Sequence, residues 1–259
     1  LSTALEGLVE ELHPWAENVV AFSQVDSTHA SALRLLATFE EDDDEPPESA
    51  VIVALSQSAG IGRLDRTWES PEGGLYLSWV RTGLGIDTVT RLPMLAAAAV
   101  HAGLEACGLS QVSIKWPNDL LVSGRKIAGV LVHARHGATI SAAVGIGVNI
   151  ARSPEVTTGS GVPPTSVAET LDIAAEYERW SGIVAREIVR ELEAAIDAPE
   201  TLMTRWRDHL IHREGDHIAV RLATGTNLAG SFAGLTSEGF LRLTTSDGEV
   251  VVSGGDVTS

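Results

Sequence analysis

The chain has 259 residues, 44% of them hydrophobic and 20% charged, the proportions of a globular protein with a sizeable core. A formal net charge of −17, from 35 acidic against 18 basic side chains, disfavours nucleic acid and anionic membrane as partners, because both demand a basic footprint. The single Cys107 excludes a disulfide framework or a cysteine-based metal site.

No apolar run approaches the roughly 18–20 residues of a membrane span, and the acidic start of the chain does not read as a targeting peptide. The expectation is a cytoplasmic protein. The coarse pattern is α/β. A short helix is expected over 3–12, a strand over 19–24, and a helix over 27–38 capped by Ser27 or Thr28. Seven acids then fall in the nine positions 40–48, a solvated loop or a docking patch for a basic partner. A strand at 50–57 leads into a loop at 58–74 rich in glycine and arginine, followed by a strand at 75–81. Residues 92–107 have helical spacing with Pro93 near the start.

Three strands are expected next: 112–115, then 119–122 and 126–134 joined by Ser123, Gly124 and Arg125. A fourth, at 139–150, carries small residues on one face, including Gly145 and Gly147. They leave room for something flat on the sheet or for a closely packed helix. A Ser/Thr/Gly/Pro loop at 151–164 precedes helices at 166–171, 175–196 and 200–209. The last 50 residues or so change texture to four short strands at 216–222, 228–235, 240–244 and 249–252. That is a small β-barrel-like module, too small for a core of its own.

The basic residues concentrate the chemical signal. Sixteen are arginine and only two are lysine, Lys115 and Lys126, and both fall within twelve residues. Such retention suits positions where a compact ammonium is needed and a guanidinium fork does not fit. The loop from Gln57 to Trp68 adds backbone N–H groups at Gly60 and Gly62, with Arg63 and Arg66 as bidentate cations, a composition suited to phosphate or carboxylate. Alone the loop is a weak signal, because it lacks the Gly-Lys-Ser/Thr ending of a P-loop.

Together these segments resemble the biotin protein ligases. The glycine-arginine loop matches residues 59–68, the Lys-Trp-Pro-Asn-Asp signature stands at 115–119, and an Arg-Lys-hydrophobic-Ala-Gly strand stands at 125–129. Asp26-Ser27-Thr28 upstream and Gly145 to Asn149 downstream fall in the same order. The likeness is detailed over about 19–150 and looser beyond.

The resemblance implies a central mixed sheet flanked by helices over 1–211, in the α+β (α/β) class, and a small SH3-like barrel over 212–259. It implies ATP with Mg2+ and biotin as substrates. Biotinyl-5′-AMP would form first, followed by transfer to a lysine of a biotin carboxyl carrier domain, with the ligase a monomer or homodimer.

By matched position, Ser27, Thr28, His29, Gln57, Gly60, Ile61, Gly62, Arg63, Lys126 and Gly129 would contact biotin. Arg63, Arg66, Trp68, Lys115, Asn118, Asp119 and Asn149 would contact ATP. Arg63, Lys115, Asp119 and Lys126 would carry the chemistry; the metal ligands stay unassigned. Two residues depart from the family pattern: Ile61 stands where arginine is usual, and His29 where asparagine is usual. His133 reads as an edge histidine without a role. A lipoate or octanoate ligase of the same superfamily is one alternative reading, and a non-catalytic biotin-sensing protein is another. No helix-turn-helix is expected in the stretch before Val19.

Overall fold

A computed structural model describes residues 2–41, 47–137, 139–154, 162–172 and 176–258. The acidic block at 42–46 and the loop at 155–161 therefore lie outside the described residues. Seven strands form one sheet in the order β1-β2-β3-β7-β6-β5-β4: β1 Asn18–Val25, β2 Ser49–Gln57, β3 Gly74–Leu84, β4 Val112–Lys115, β5 Asp119–Val122, β6 Arg125–His136 and β7 Ile140–Asn149. Only β1 and β2 pair in parallel, so the sheet is mixed.

That parallel pair needs a crossover, which α2, Thr28–Glu41, supplies. Strand alternation sorts the side chains between two cores. Ala50 and Ile52 of β2, with Val80 and Ala143, meet Ala32 and Leu36 of α2. Val51 and Val53 point the other way, toward α1 (Thr3–Leu12), α3 (Ile86–Ala106), α5 (Tyr177–Asp197) and α6 (Pro199–Asp208).

The expected elements recur, two of them adjusted. Helix α3 starts at Ile86 rather than at 92, so Pro93 lies inside it. The start is set by the Leu84-Gly85 break: Gly85 is extended, and its carbonyl accepts the Val89 N–H at 3.0 Å. The β5–β6 hairpin turns on two residues, not three, because Ser123 and Gly124 both take positive φ (51° and 73°). Such a pair matches the twist of antiparallel strands. A short helix α4, Val167–Leu171, is capped by the Ser166 side chain, which accepts from Glu169 N–H.

The C-terminal strands β8 His217–Arg221, β9 Asn227–Leu235, β10 Leu241–Thr245, β11 Gly248–Val252 and β12 Asp256–Val257 form a second sheet ordered β11-β10-β9-β8-β12. The closing strand β12 has no counterpart in the sequence expectation. As expected of so small a unit, this sheet has no separate core: Ile218, Val220, Leu241 and Leu243 join the cluster built on α3 and α6. The Trp116 indole N–H donates to the Gly239 carbonyl at 3.0 Å, tying the Lys-Trp-Pro-Asn-Asp turn to this module. The Trp116–Pro117 peptide is cis.

Candidate active site

A cleft open to solvent at its mouth lies on the α2 side of the large sheet between the 58–71 loop and β6–β7. Its floor is made by glycines in register, Gly129 of β6 facing Gly147 of β7, with Gly145 two residues along. The floor carries rings. A Cβ on Gly147 would stand 2.4 Å from Trp68 Nε1, and one on Gly145 would stand 2.8 Å from His29 Nδ1. The small face of β7 thus accommodates flat groups, and in this structure the chain supplies them itself. Both of those ring nitrogens are buried without a hydrogen-bond partner.

One end of the cleft is neutral and built from the start of α2. Ser27 Oγ accepts from Ala30 N–H at 3.3 Å, the helix-capping role expected of it. Thr28 donates its N–H to Gln57 Oε1 at 2.8 Å, and Gln57 Nε2 donates to Ser70 Oγ at 2.7 Å. Ser78 Oγ donates to Thr28 Oγ1 at 2.9 Å. This chain of amide and hydroxyl groups fixes Thr28 and Gln57 without using a charge.

His29 completes that end. Its Nε2 meets His133 Nδ1 at 2.6 Å, so one ring donates and the other accepts. Burial first, and the facing His133 second, push the His29 imidazole down to about 4. His133 therefore backs the cleft residue His29 without lining the cleft itself, a contact absent from the sequence reading. It comes from a strand 104 residues away, and no local pattern marks it.

The other end is charged. Lys126 Nζ stands 2.6 Å from Asp119 and 5.4 Å from the centre of the Trp68 ring. Arg63 pairs with Asp256 at 3.0 Å, donates to Asn118 Oδ1 at 2.9 Å and reaches the Gly255 carbonyl at 2.7 Å. Arg66 pairs with the same Asp256. Asp256 belongs to β12, so the C-terminal module contributes a carboxylate to the cleft. This residue was also invisible in the sequence, where it follows two glycines in a stretch with no motif.

The loop that carries the arginines is folded as a small hairpin. Ile61 bridges Thr67, Gly62 N–H donates to Arg66 O at 2.7 Å, and Trp68 N–H donates to Gly60 O at 2.9 Å. Gly60 cannot carry a side chain here, because a Cβ would come within 2.3 Å of the Trp68 carbonyl.

Of the expected site residues, Ser27, Thr28, His29, Gln57, Ile61, Gly62, Arg63, Arg66, Trp68, Asp119, Lys126 and Gly129 line the cleft. Four do not. Gly60 backs the loop, and Asn118 is buried behind Arg63, which it orients. Asn149 donates its amide to the Thr165 carbonyl at 2.9 Å. Lys115 lines an adjoining cavity with Arg221 and Thr258, which it shares with Arg63, Arg66, Asp119 and Asp256. Burial lowers the Lys115 ammonium pKa, and the nearby Asp119 opposes the shift.

Residues 22–150 match the biotin/lipoate A/B protein ligase family, and residues 215–258 match the biotin protein ligase C-terminal domain. The biotin--[acetyl-CoA-carboxylase] ligase of Paracoccus denitrificans is 32% identical over 245 residues, covering 91% of this chain and 98% of the relative. The bifunctional ligase/repressor of Bacillus spizizenii is 30% identical over 230 residues. That alignment covers 81% of this chain and 66% of the relative, so the chain spans about two thirds of that longer protein. A biotin protein ligase from Aquifex aeolicus, solved with biotin and ATP, superposes with a TM-score of 0.69 at 22% identity, covering 93% of this chain and 97% of that one. Its likeness extends the agreement to the fold. With the Paracoccus relative matched over nearly its whole length, the chain belongs to the biotin protein ligase family.

Proposed function

We propose that the protein activates biotin with MgATP and transfers it to a lysine of a biotin carboxyl carrier domain in the cytoplasm. The observation that carries this reading is the division of one cleft into a neutral hydrogen-bonding end and an end lined by Arg63, Arg66 and Lys126. A bicyclic ureido ring is neutral and needs fixed donors and acceptors, which Thr28, Gln57 and the unpartnered His29 Nδ1 offer. A triphosphate needs cations beside the reacting phosphorus, which the other end offers.

In the first step a biotin carboxylate oxygen attacks the α-phosphorus, and the bond to pyrophosphate breaks. The nucleophile is already an anion, so alignment and charge suffice and no base is required. In the second step the carrier amine attacks the acyl carbon, loses a proton, and AMP departs. Lys126 and Arg63 are assigned to the carboxylate and the acyl-phosphate, Arg66 and Lys115 to the outer phosphates, and Trp68 to a face of the adenylate. To admit these groups, Lys126 must exchange Asp119, and the two arginines must exchange Asp256, for substrate oxygens. Magnesium enters as part of the nucleotide: the cleft carboxylates Asp119 and Asp256 already face the chain's own cations.

The two regions 1–211 and 212–259 are taken as a catalytic domain and a C-terminal module that adds Asp256. A lipoate ligase reading is disfavoured by the polar network at the neutral end, since a long acyl chain has no use for it. Biotin-dependent ATP–pyrophosphate exchange, followed by transfer to an acceptor domain, tests the proposal. Exchange driven by lipoate or octanoate but not by biotin overturns it.

A further inference from the structure

On the far side of the Lys-Trp-Pro-Asn-Asp turn, outside the cleft, three metal-ligating side chains converge. His101 and Glu105 stand one turn apart on α3, and His209 caps the end of α6. One ring nitrogen of each histidine and a Glu105 oxygen lie within 4.8 Å of one another, the one such group among the described residues. The imidazole centres are 3.9 Å apart.

The hydrogen bonds around these rings set their tautomers. A carbonyl only accepts, so His101 Nε2, 3.2 Å from Val112 O, carries its proton. His209 Nδ1, 2.9 Å from Arg205 O, carries its own. The lone pairs left over are on His101 Nδ1 and His209 Nε2. Backbone carbonyls that hold the second N–H of a ligating histidine are the usual outer support of a metal site, and here both histidines have one.

The converging acceptors already hold a cation. Arg205 Nη1 pairs with the Glu105 carboxylate and lies 3.3 Å from His101 Nδ1, bridging two groups whose own separation is 3.5 Å. Its side chain is about one-third exposed and that of Glu105 40% exposed, so the guanidinium has solvent beside it to move into. We infer that His101, Glu105 and His209 form a site for a divalent transition metal of the zinc class, with Arg205 as its displaceable occupant. Two imidazoles and one carboxylate suit zinc or cobalt and leave positions for water, whereas magnesium prefers an all-oxygen shell. The bound ion would pin the end of α6 to α3. It would thereby fix the strand that leads to Lys115, because Ile114 N–H donates to the His209 carbonyl at 2.8 Å.

The test is titration of the metal-free protein with Co2+ and Zn2+, followed by visible absorption and calorimetry, beside Glu105→Gln, His209→Ala and Arg205→Ala variants. One Co2+ per chain is expected, displaced by Zn2+ and not by excess Mg2+. Loss of a ligand should weaken binding by at least about tenfold, whereas Arg205→Ala should tighten it by a similar factor. Glu105 is partly exposed, so Glu105→Gln keeps the test sound even if His209→Ala destabilises the helix end. Absence of stoichiometric binding overturns the assignment. So does binding that Glu105→Gln leaves unchanged, or that Arg205→Ala weakens.

Discussion

The two ends of the cleft are built by opposite means. At the neutral end, Thr28 and Gln57 are held by uncharged hydrogen bonds to each other and to Ser78 and Ser70. At the charged end, three of the cations are engaged by carboxylates of the chain, Lys126 by Asp119 and the arginines by Asp256. Partly buried cations without partners would cost several kcal/mol to hold, so internal pairing keeps them in place between turnovers. A biotin-sized ring meets a preorganised surface, whereas a triphosphate must exchange one set of anions for another. Affinity at the first end should depend little on salt, and at the second strongly.

The largest effect should come from removing the cation that joins the two ends. Lys126→Ala leaves Asp119 without its partner and takes the ammonium from beside Trp68. Biotin-dependent pyrophosphate exchange should fall by about 10²–10³, on the order of 2.7–4 kcal/mol, as for other lost electrostatic contacts to a transition state. Lys126→Arg should recover only part of it, because a planar fork does not replace a point charge in a fitted site. Near-normal exchange in Lys126→Ala would erase the distinction between the ends.

A pH experiment examines the neutral end. The His29 imidazole titrates at about 4 in the folded protein and near 6.5 when unfolded. Between these values the unfolded chain binds more protons, so stability rises with pH. The contribution is fully present above about 6.5 and lost as pH falls toward 4, roughly 3 kcal/mol in all for such a shift. Burial and His133 lower the value, so His29→Asn should flatten the acid limb of the stability curve in denaturant titrations between pH 4 and 7. An unchanged slope would mean that the histidine pair does not keep this end uncharged.

Gly147→Ala separates the floor from its cover. The added Cβ would collide with the Trp68 indole, so either the ring lifts or the strand shifts, at a cost of about 1–3 kcal/mol typical of overpacking. A change in Trp68 fluorescence with a raised KM for ATP and an unchanged KM for biotin is expected. Equal changes in both constants would mean that the ring serves the whole cleft.

How much of this was legible beforehand follows from the range of the interactions. Strand alternation in β2 and the glycines of β7 are local patterns, and they gave the sheet, its two faces and a floor for flat groups. The cap at Ser27 and the loop cations Arg63 and Arg66 were equally readable, because each motif is contiguous. Pro93 misplaced the start of α3, since a proline marks a first turn more often than an interior, and here the Leu84-Gly85 break governed instead. Asp256 reaches the cleft, and His133 reaches His29 at its wall, only through the folding together of distant segments, which no window of sequence displays. Asn118 was readable as a polar residue in a turn, but its role in orienting Arg63 needed the fold.

The smallest predicted effect concerns Ile61, where the family pattern has a cation. The side chain lines the cleft yet is 41% exposed, on a hairpin that already carries two arginines. The carboxylate that the loop's arginines use, Asp256, is already shared by Arg63 and Arg66. The charge of a third cation there would therefore be free to act on a bound acyl-phosphate. Ile61→Arg should slow release of biotinyl-5′-AMP by about fivefold, near 1 kcal/mol for one charge-assisted contact at a partly exposed site. The gain should shrink between low and moderate salt, because an exposed guanidinium is screened, whereas biotin affinity at the neutral end stays constant. Equal off-rates for both proteins at low salt would place the new side chain in solvent and leave the retention of the intermediate to Arg63 and Arg66.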